Sequence, residues 1–326
     1  MSKIPVGQTI GRSYGFAFGD FLPLLGLLWL PLLLSGVAAY FVLLPMYQHM
    51  PDMLDAIARN PHGMRTFSPE MAATFRWSGL FNLFSIAILA IIAVGVTREA
   101  LGLRKGPRFV YLSFGIDEIL IIAGYLLILV LMIIGAIALI IVSGIVGVVG
   151  AAVFASGAAG HPDPRSFIGP GIGFGLLIIV VEFVFVYVFV RLSYLMIPVT
   201  VAEHGFGVFR SWELTKGNFW RIFVISLAVL LPLVIIEFVA MSFAFGSSLP
   251  GILSAMQKSP NDMAHQMGQL MRGFGTVLPY MWAIGFILSP IIYGLWLAPA
   301  AFAYRALVPA VPEEGAAPMM AEGAHP

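Results

Sequence analysis

Apolar runs of twenty or more residues recur along this chain, and they constrain its fold more than any other feature, because runs of that length match the thickness of a bilayer. Of the 326 residues 60% are hydrophobic and 10% charged, against about a quarter charged in soluble domains. At roughly 20 residues per crossing six spans are predicted, from Phe21 to Pro45, Ser78 to Val96, Glu118 to Val142, Ile172 to Met196, Phe219 to Phe243 and Val277 to Ala303. The expected fold is an all-α, polytopic membrane bundle.

The third run is longer than one crossing needs. Ile119 to Ala158 carries no charged residue, and forty residues of helix would reach about 60 Å, twice the hydrocarbon thickness of about 30 Å. Either the helix continues past the membrane, or Ser143 to Ala158 folds back around Gly144, Gly147 and Gly150. A seventh full crossing would break the charge sidedness. With six spans, Lys3, Arg12, Arg98, Arg104, Lys105, Arg108, Arg191, Arg210, Lys216, Arg221 and Arg305 share one face, eleven basic residues against six opposite (Arg59, Arg65, Arg76, Arg165, Lys258, Arg272). Basic excess stays cytoplasmic, so both termini are predicted inside.

Several function classes are set aside by composition. The chain has no cysteine, which removes disulfides, thiolate catalysis and cysteine-ligated zinc. Its net charge is +1 with scattered basic residues, which makes no case for nucleic acid. The first apolar run starts at Phe21 and is long, so it reads as an uncleaved first span.

The chain also repeats itself. Arg12-Ser13-Tyr14 with Gly19-Asp20-Phe21 returns 198 residues later as Arg210-Ser211-Trp212 with Gly217-Asn218-Phe219. PDMLDAIARNP from Pro51 returns 199 residues later as PGILSAMQKSP from Pro250. A weaker third copy has Arg108 seven residues before Gly115, followed by Asp117 with one residue of slip. Three tandem hairpins are expected, over about 8–104, 105–204 and 205–308, within one transmembrane domain (1–310) and before a disordered tail (311–326).

Each entry motif has a physical reading. In VFRSWELTKGNFWRI, Val208, Trp212, Thr215 and Phe219 share a helical face while Arg210, Glu213 and Lys216 point elsewhere, which suits a short helix in the headgroup layer. Gly217 is placed to end that helix in a left-handed conformation, and Asn218 to cap the next; Gly19 and Asp20 repeat the arrangement. On the opposite face Pro51 to Pro61, a segment opening at Ser68-Pro69-Glu70, and Asn261 to Arg272 read as short amphipathic capping helices.

FRSWELTKGNFWRI, from Phe209 to Ile222, resembles the signature of the bacterial membrane domain named for its attachment to some glycerophosphoryl diester phosphodiesterases. The opening IPVGQTIGRSYGFAFGDFLPLLGLLWLPLLL looks like that family's entry into its first span. The resemblance implies a multi-span inner-membrane module, sometimes standing alone, without an established molecular role of its own. The phosphodiesterase activity is not carried over, because this chain has no soluble region that could form that enzyme's barrel.

Candidate functional residues are few. Glu182 lies about ten residues into the fourth span, and an ionised carboxylate there costs about 2.5 to 3.5 kcal/mol, so it is expected to face the protein interior. It reads either as a proton or cation site in a transport path or as a neutral carboxyl bonded to a neighbouring helix. Glu237 falls near the outer interface. Arg12, Arg108 and Arg210 offer guanidinium forks to phospholipid headgroups, or else simply set topology. The pair His161 and Asp163 is too small a set for a metal site, and no cofactor is expected. Pro23, Pro31, Pro232, Pro290 and Pro299 mark either broken transporter helices or kinks. GxSxG, HExxH and GxxxxGK are all missing. The reading is a non-enzymatic module of the inner membrane that organises lipid or a membrane or soluble partner protein, with a small permease or lipid translocator using Glu182 as the alternative.

Overall fold

Apolar runs in a bilayer satisfy their own backbone as helices, and in the computed structural model the described residues are almost entirely helical, with no strand among them. Those residues are 3–59, 69–104, 109–157, 168–245, 254 and 260–308. In chain order the helices are α1 (Val6–Gly19), α2 (Phe21–Arg59), α3 (Pro69–Ala100), α4 (Ile116–Gly157), α5 (Ile168–Ser193), α6 (Met196–Glu203), α7 (Gly207–Leu214), α8 (Phe219–Phe245) and α9 (Pro260–Leu307). Six stretches are long and apolar enough to cross a membrane: Phe21–Val42, Arg76–Ala100, Ile116–Val142, Ile179–Glu203, Phe219–Val239 and Pro279–Leu307. Each overlaps one predicted span, and the chain is a multi-pass membrane protein.

The long third run resolves as a continuous helix. α4 holds 42 residues, about 63 Å at the usual rise, so Ser143 to Gly157 extends the span and does not turn back. That is the first of the two alternatives; for the predicted capping helices, by contrast, continuation is a correction. Pro51 to Arg59 continues α2, and Asn261 to Arg272 continues into α9. A helix already propagating adds residues without a new nucleation cost, which favours extension over a separate short helix. Nor is any helix broken at Pro31, Pro232, Pro290 or Pro299. The repeat partner at 250–260 lies outside the described residues except for Ser254 and Pro260, and the tail from 311 lies outside them entirely.

The buried side chains gather at one end of the bundle, called the entry end below because α1, α6 and α7 lie there. Leu24, Leu27 and Leu28 of α2 meet Ile91, Val94 and Val96 of α3, Ile121 of α4, Met196 and Val199 of α6, Ile222 and Ile225 of α8, and Leu295 and Ala298 of α9. Away from that end the helices expose Phe41, Leu83, Ile137, Ile140, Phe238 and Ile284, an apolar surface of the kind lipid covers. Both ends of the described chain come together there, with the Phe16 ring edge-on to Phe302 at 6.0 Å. Close backbone approach needs glycine at two points. A Cβ on Gly294 would lie 3.1 Å from the Ala17 Cα, and one on Gly207 would lie 2.3 Å from the Met196 carbonyl oxygen.

Two of the three hairpins expected from the sequence would open on a short helix, α1 before α2 and α7 before α8. The described approach to α4, residues 109–115, is not helical. Its sequence Phe109-Val110-Tyr111 favours extended backbone, and Tyr111 is held there by Arg98 Nη1 donating to its hydroxyl at 3.0 Å. The middle motif is also aligned differently from its sequence reading. The carbonyls of Asp20, Gly115 and Asn218 accept the first helical bonds from Leu24, Ile119 and Ile222, so Gly115, not Asp117, occupies the position of Asp20 and Asn218.

Candidate functional site

The motif residues build a polar layer at the entry end. Gly115 begins α4, and its N–H donates to Glu118 Oε2 at 2.8 Å, the reciprocal half of a capping box. Asp117, released from the capping position, turns the other way. Its Oδ2 accepts from Arg98 Nη2 at 2.7 Å, and its Oδ1 lies 3.1 Å from His204 Nδ1, with the carboxylate side chain 1% exposed. One carboxylate thus joins α3, α4 and the end of α6. His204 occupies the left-handed region at φ 51° and terminates α6 there. Burial pushes the Tyr111 phenol above its usual range, and the neighbouring Arg98 pulls against that shift.

A second cluster surrounds Arg191 at the end of α5. This guanidinium is buried and lies 3.8 Å over the Trp212 ring. Its Nη1 donates to the Tyr187 hydroxyl at 3.0 Å, its Nε to Thr215 Oγ1 at 3.3 Å, and its Nη2 to the Trp212 carbonyl. Ser211 Oγ completes the joint, donating to the Arg191 carbonyl at 2.9 Å and accepting from the Leu195 N–H at 3.1 Å. Arg191 had been read from the sequence only as topology-setting charge. Its signal was the Trp212, Thr215 stripe two helices later, which turns out to be the surface that receives it.

The second entry motif follows its predicted face in part: Val208, Thr215 and Phe219 are buried and Trp212 is half-buried, Ser211 is buried as well, and Arg210, Glu213 and Lys216 are exposed. Gly217 is left-handed at φ 75° but does not itself end α7, which stops at Leu214 with Thr215 as its cap. Gly217 sits in the turn that leads into α8, whereas Gly19 stays inside α1. Asn218 Oδ1 accepts from the N–H of Ile4 at 3.2 Å, and Arg221 Nη1 donates to the Ile4 carbonyl at 2.8 Å. The amino-terminal segment is therefore stitched to the start of α8.

The predicted site residues do not converge. Arg12 is exposed on α1. Arg210 is engaged with Glu213 Oε2 at 3.0 Å and Glu203 Oε2 at 3.7 Å, and the Glu213 hydrogen bond holds its pKa above the ordinary arginine value. Arg108 and the His161, Asp163 loop lie outside the described residues. Glu237 is exposed on α8. Glu182 departs from its expected position: it is exposed on α5 instead of facing the interior, with no hydrogen bond or ion pair among the described residues. The phase of α5 decides this, since Phe185 packs against Gly135 of α4 and Arg191 turns into the bundle, which leaves Ile179, Glu182 and Val186 outward.

A groove of about 680 Å³ runs between α2 and α9 and touches Phe81 of α3, a size typical of small-molecule sites (about 300–1,000 Å³). Its walls include Leu33, Val37, Tyr40, Phe41, Phe286 and Ile292, and its few polar groups are hydroxyls such as Ser35 and Ser289. Ser289 Oγ is already spent on the Phe286 carbonyl at 2.7 Å. Such a groove suits an apolar chain and offers nothing to an ion. Among the described residues no group of three or more His, Asp or Glu side chains is placed to hold a metal. Comparison of this chain with protein-family models, curated proteins and solved structures finds no match.

Proposed function

We propose that this protein is a non-enzymatic module of the bacterial inner membrane, with both termini cytoplasmic, that organises lipid along its surface. The observation that carries the reading is the α2/α9 groove: it lies within two spans, it is walled by apolar and aromatic side chains, and several of them are exposed. In a bilayer the partner of matching chemistry is an acyl chain. The entry end, by contrast, is closed by packed side chains and cross-helix polar contacts such as Arg98 with Asp117, as a scaffold requires.

The resemblance to the membrane domain named after glycerophosphoryl diester phosphodiesterases belongs to this proposal. Its two motifs form the junctions of α1 with α2 and of α7 with α8. The transport alternative requires Glu182 on an internal path. Glu182 lies on the outside of α5, and the α2/α9 groove does not include it.

The test fills the groove. Gly36 and Gly285 line it, and a Cβ at either meets nothing within 4 Å, so Gly36→Phe and Gly285→Phe should fold. Lipid retained through purification, counted by mass spectrometry, is expected to fall severalfold in the double variant. Unchanged lipid retention would remove the basis of the proposal. Reporter fusions at residues 3 and 308 test the orientation, and both should report cytoplasm.

A further inference from the structure

Glu182 is set in an apolar surface, for Ile179, Val180, Phe183, Val184 and Val186 around it are all exposed. Helical register places Gly171, Gly175, Ile179, Glu182, Val186 and Phe189 on one side of α5, at successive steps of four, four, three, four and three residues. Gly171 and Gly175 have the spacing that lets two helix backbones approach closely in lipid. The face therefore combines a point of close approach with one polar group that hydrocarbon cannot satisfy. Trp220 of α8, 63% exposed, leans on Phe183 at 5.9 Å and broadens it.

We propose that this face of α5 is the interface of a homodimer, in which the Glu182 carboxyls of two copies hydrogen-bond to one another and Gly171 and Gly175 lie at the helix crossing. A neutral carboxyl group is donor and acceptor at once, so two of them related by a twofold axis satisfy each other, and a twofold interface uses the same patch on both copies. Acyl chains carry no donor for Glu182. A different protein would have to bring one, whereas a second copy brings its own complement. The inference is independent of the lipid groove, which involves α2, α3 and α9.

The chain has no cysteine, so single-cysteine crosslinking reads this face without background. In membranes of the expression host, Val186→Cys is expected to give a covalent dimer on mild oxidation, and Leu83→Cys, more exposed still on α3, is not. In nanodiscs or dilute micelles Glu182→Leu should weaken dimerisation about five- to tenfold, the effect of two reciprocal intramembrane hydrogen bonds, while Glu182→Gln retains it. Equal crosslinking at positions 83 and 186, a monomer at all concentrations, a crosslink only to another protein, or a dimer indifferent to Glu182→Leu would each overturn the proposal.

Discussion

Arg98 and Asp117 form an ion pair of 2.7 Å across α3 and α4, with the aspartate side chain 1% exposed and the arginine 26%. Removing one partner of so enclosed a pair strands the other. Asp117→Ala is expected to cost about 2–4 kcal/mol, slightly under the range for fully buried pairs. His204→Ala, whose ring is 68% exposed, should cost less than about 1 kcal/mol. Thermal unfolding in detergent, followed by circular dichroism, orders the two; equal losses would contradict the burial argument.

Gly207 predicts a sharper contrast. An added methyl would lie 2.3 Å from the Met196 carbonyl oxygen and 2.6 Å from Thr200 Oγ1, whereas one on Gly205 has only ordinary contact, 3.8 Å from the Glu203 oxygen. Gly207→Ala should destabilise by about 1–3 kcal/mol through overpacking, and Gly205→Ala by no more than about 0.5 kcal/mol. Comparable unfolding midpoints for the two would show that α6 and α7 do not meet as described.

Arg191 should not tolerate lysine. Arg191→Lys keeps the charge, but a single ammonium cannot reproduce three hydrogen bonds held in a fork while stacked on Trp212. A loss of about 2 kcal/mol is expected from the hydrogen bonds and the cation–π contact together. Trp212 emission offers the direct check: a Trp212→Phe background should lose the spectral change that the lysine variant produces.

Alkaline pH acts on Tyr111. Burial raises its phenol pKa in the folded chain, so the folded state keeps a proton that the unfolded state releases near pH 10. Stability from this group is complete below that pH and declines as pH rises through the folded value. Tyr111→Phe should flatten that part of the alkaline stability profile; an unchanged slope would assign it elsewhere.

Much of this architecture is legible in single residues. Gly217 takes positive φ in the turn between α7 and α8, where glycine meets no steric cost, and Val208 and Thr215 are buried because their spacing is that of one helix face. Other assignments needed neighbours. Asn218 stands at the start of its own helix, as its residue type suggests, but the bond its side-chain oxygen accepts from Ile4, 214 residues away in the chain, appears only in the fold. Asp117 looked like a shifted copy of Asp20, but the start of α4 at Gly115 frees it for Arg98 and His204.

What the amino-acid order determined alone is the set of crossings, since hydrocarbon demands long apolar helices wherever the chain supplies them, and the local punctuation at their ends. What only the tertiary structure decided is the rotation of each helix about its axis. In an almost uniformly apolar span, hydrophobic patterning points nowhere in particular. Packing contacts such as Phe185 on Gly135 set that rotation, and they turn Glu182 outward and Arg191 inward.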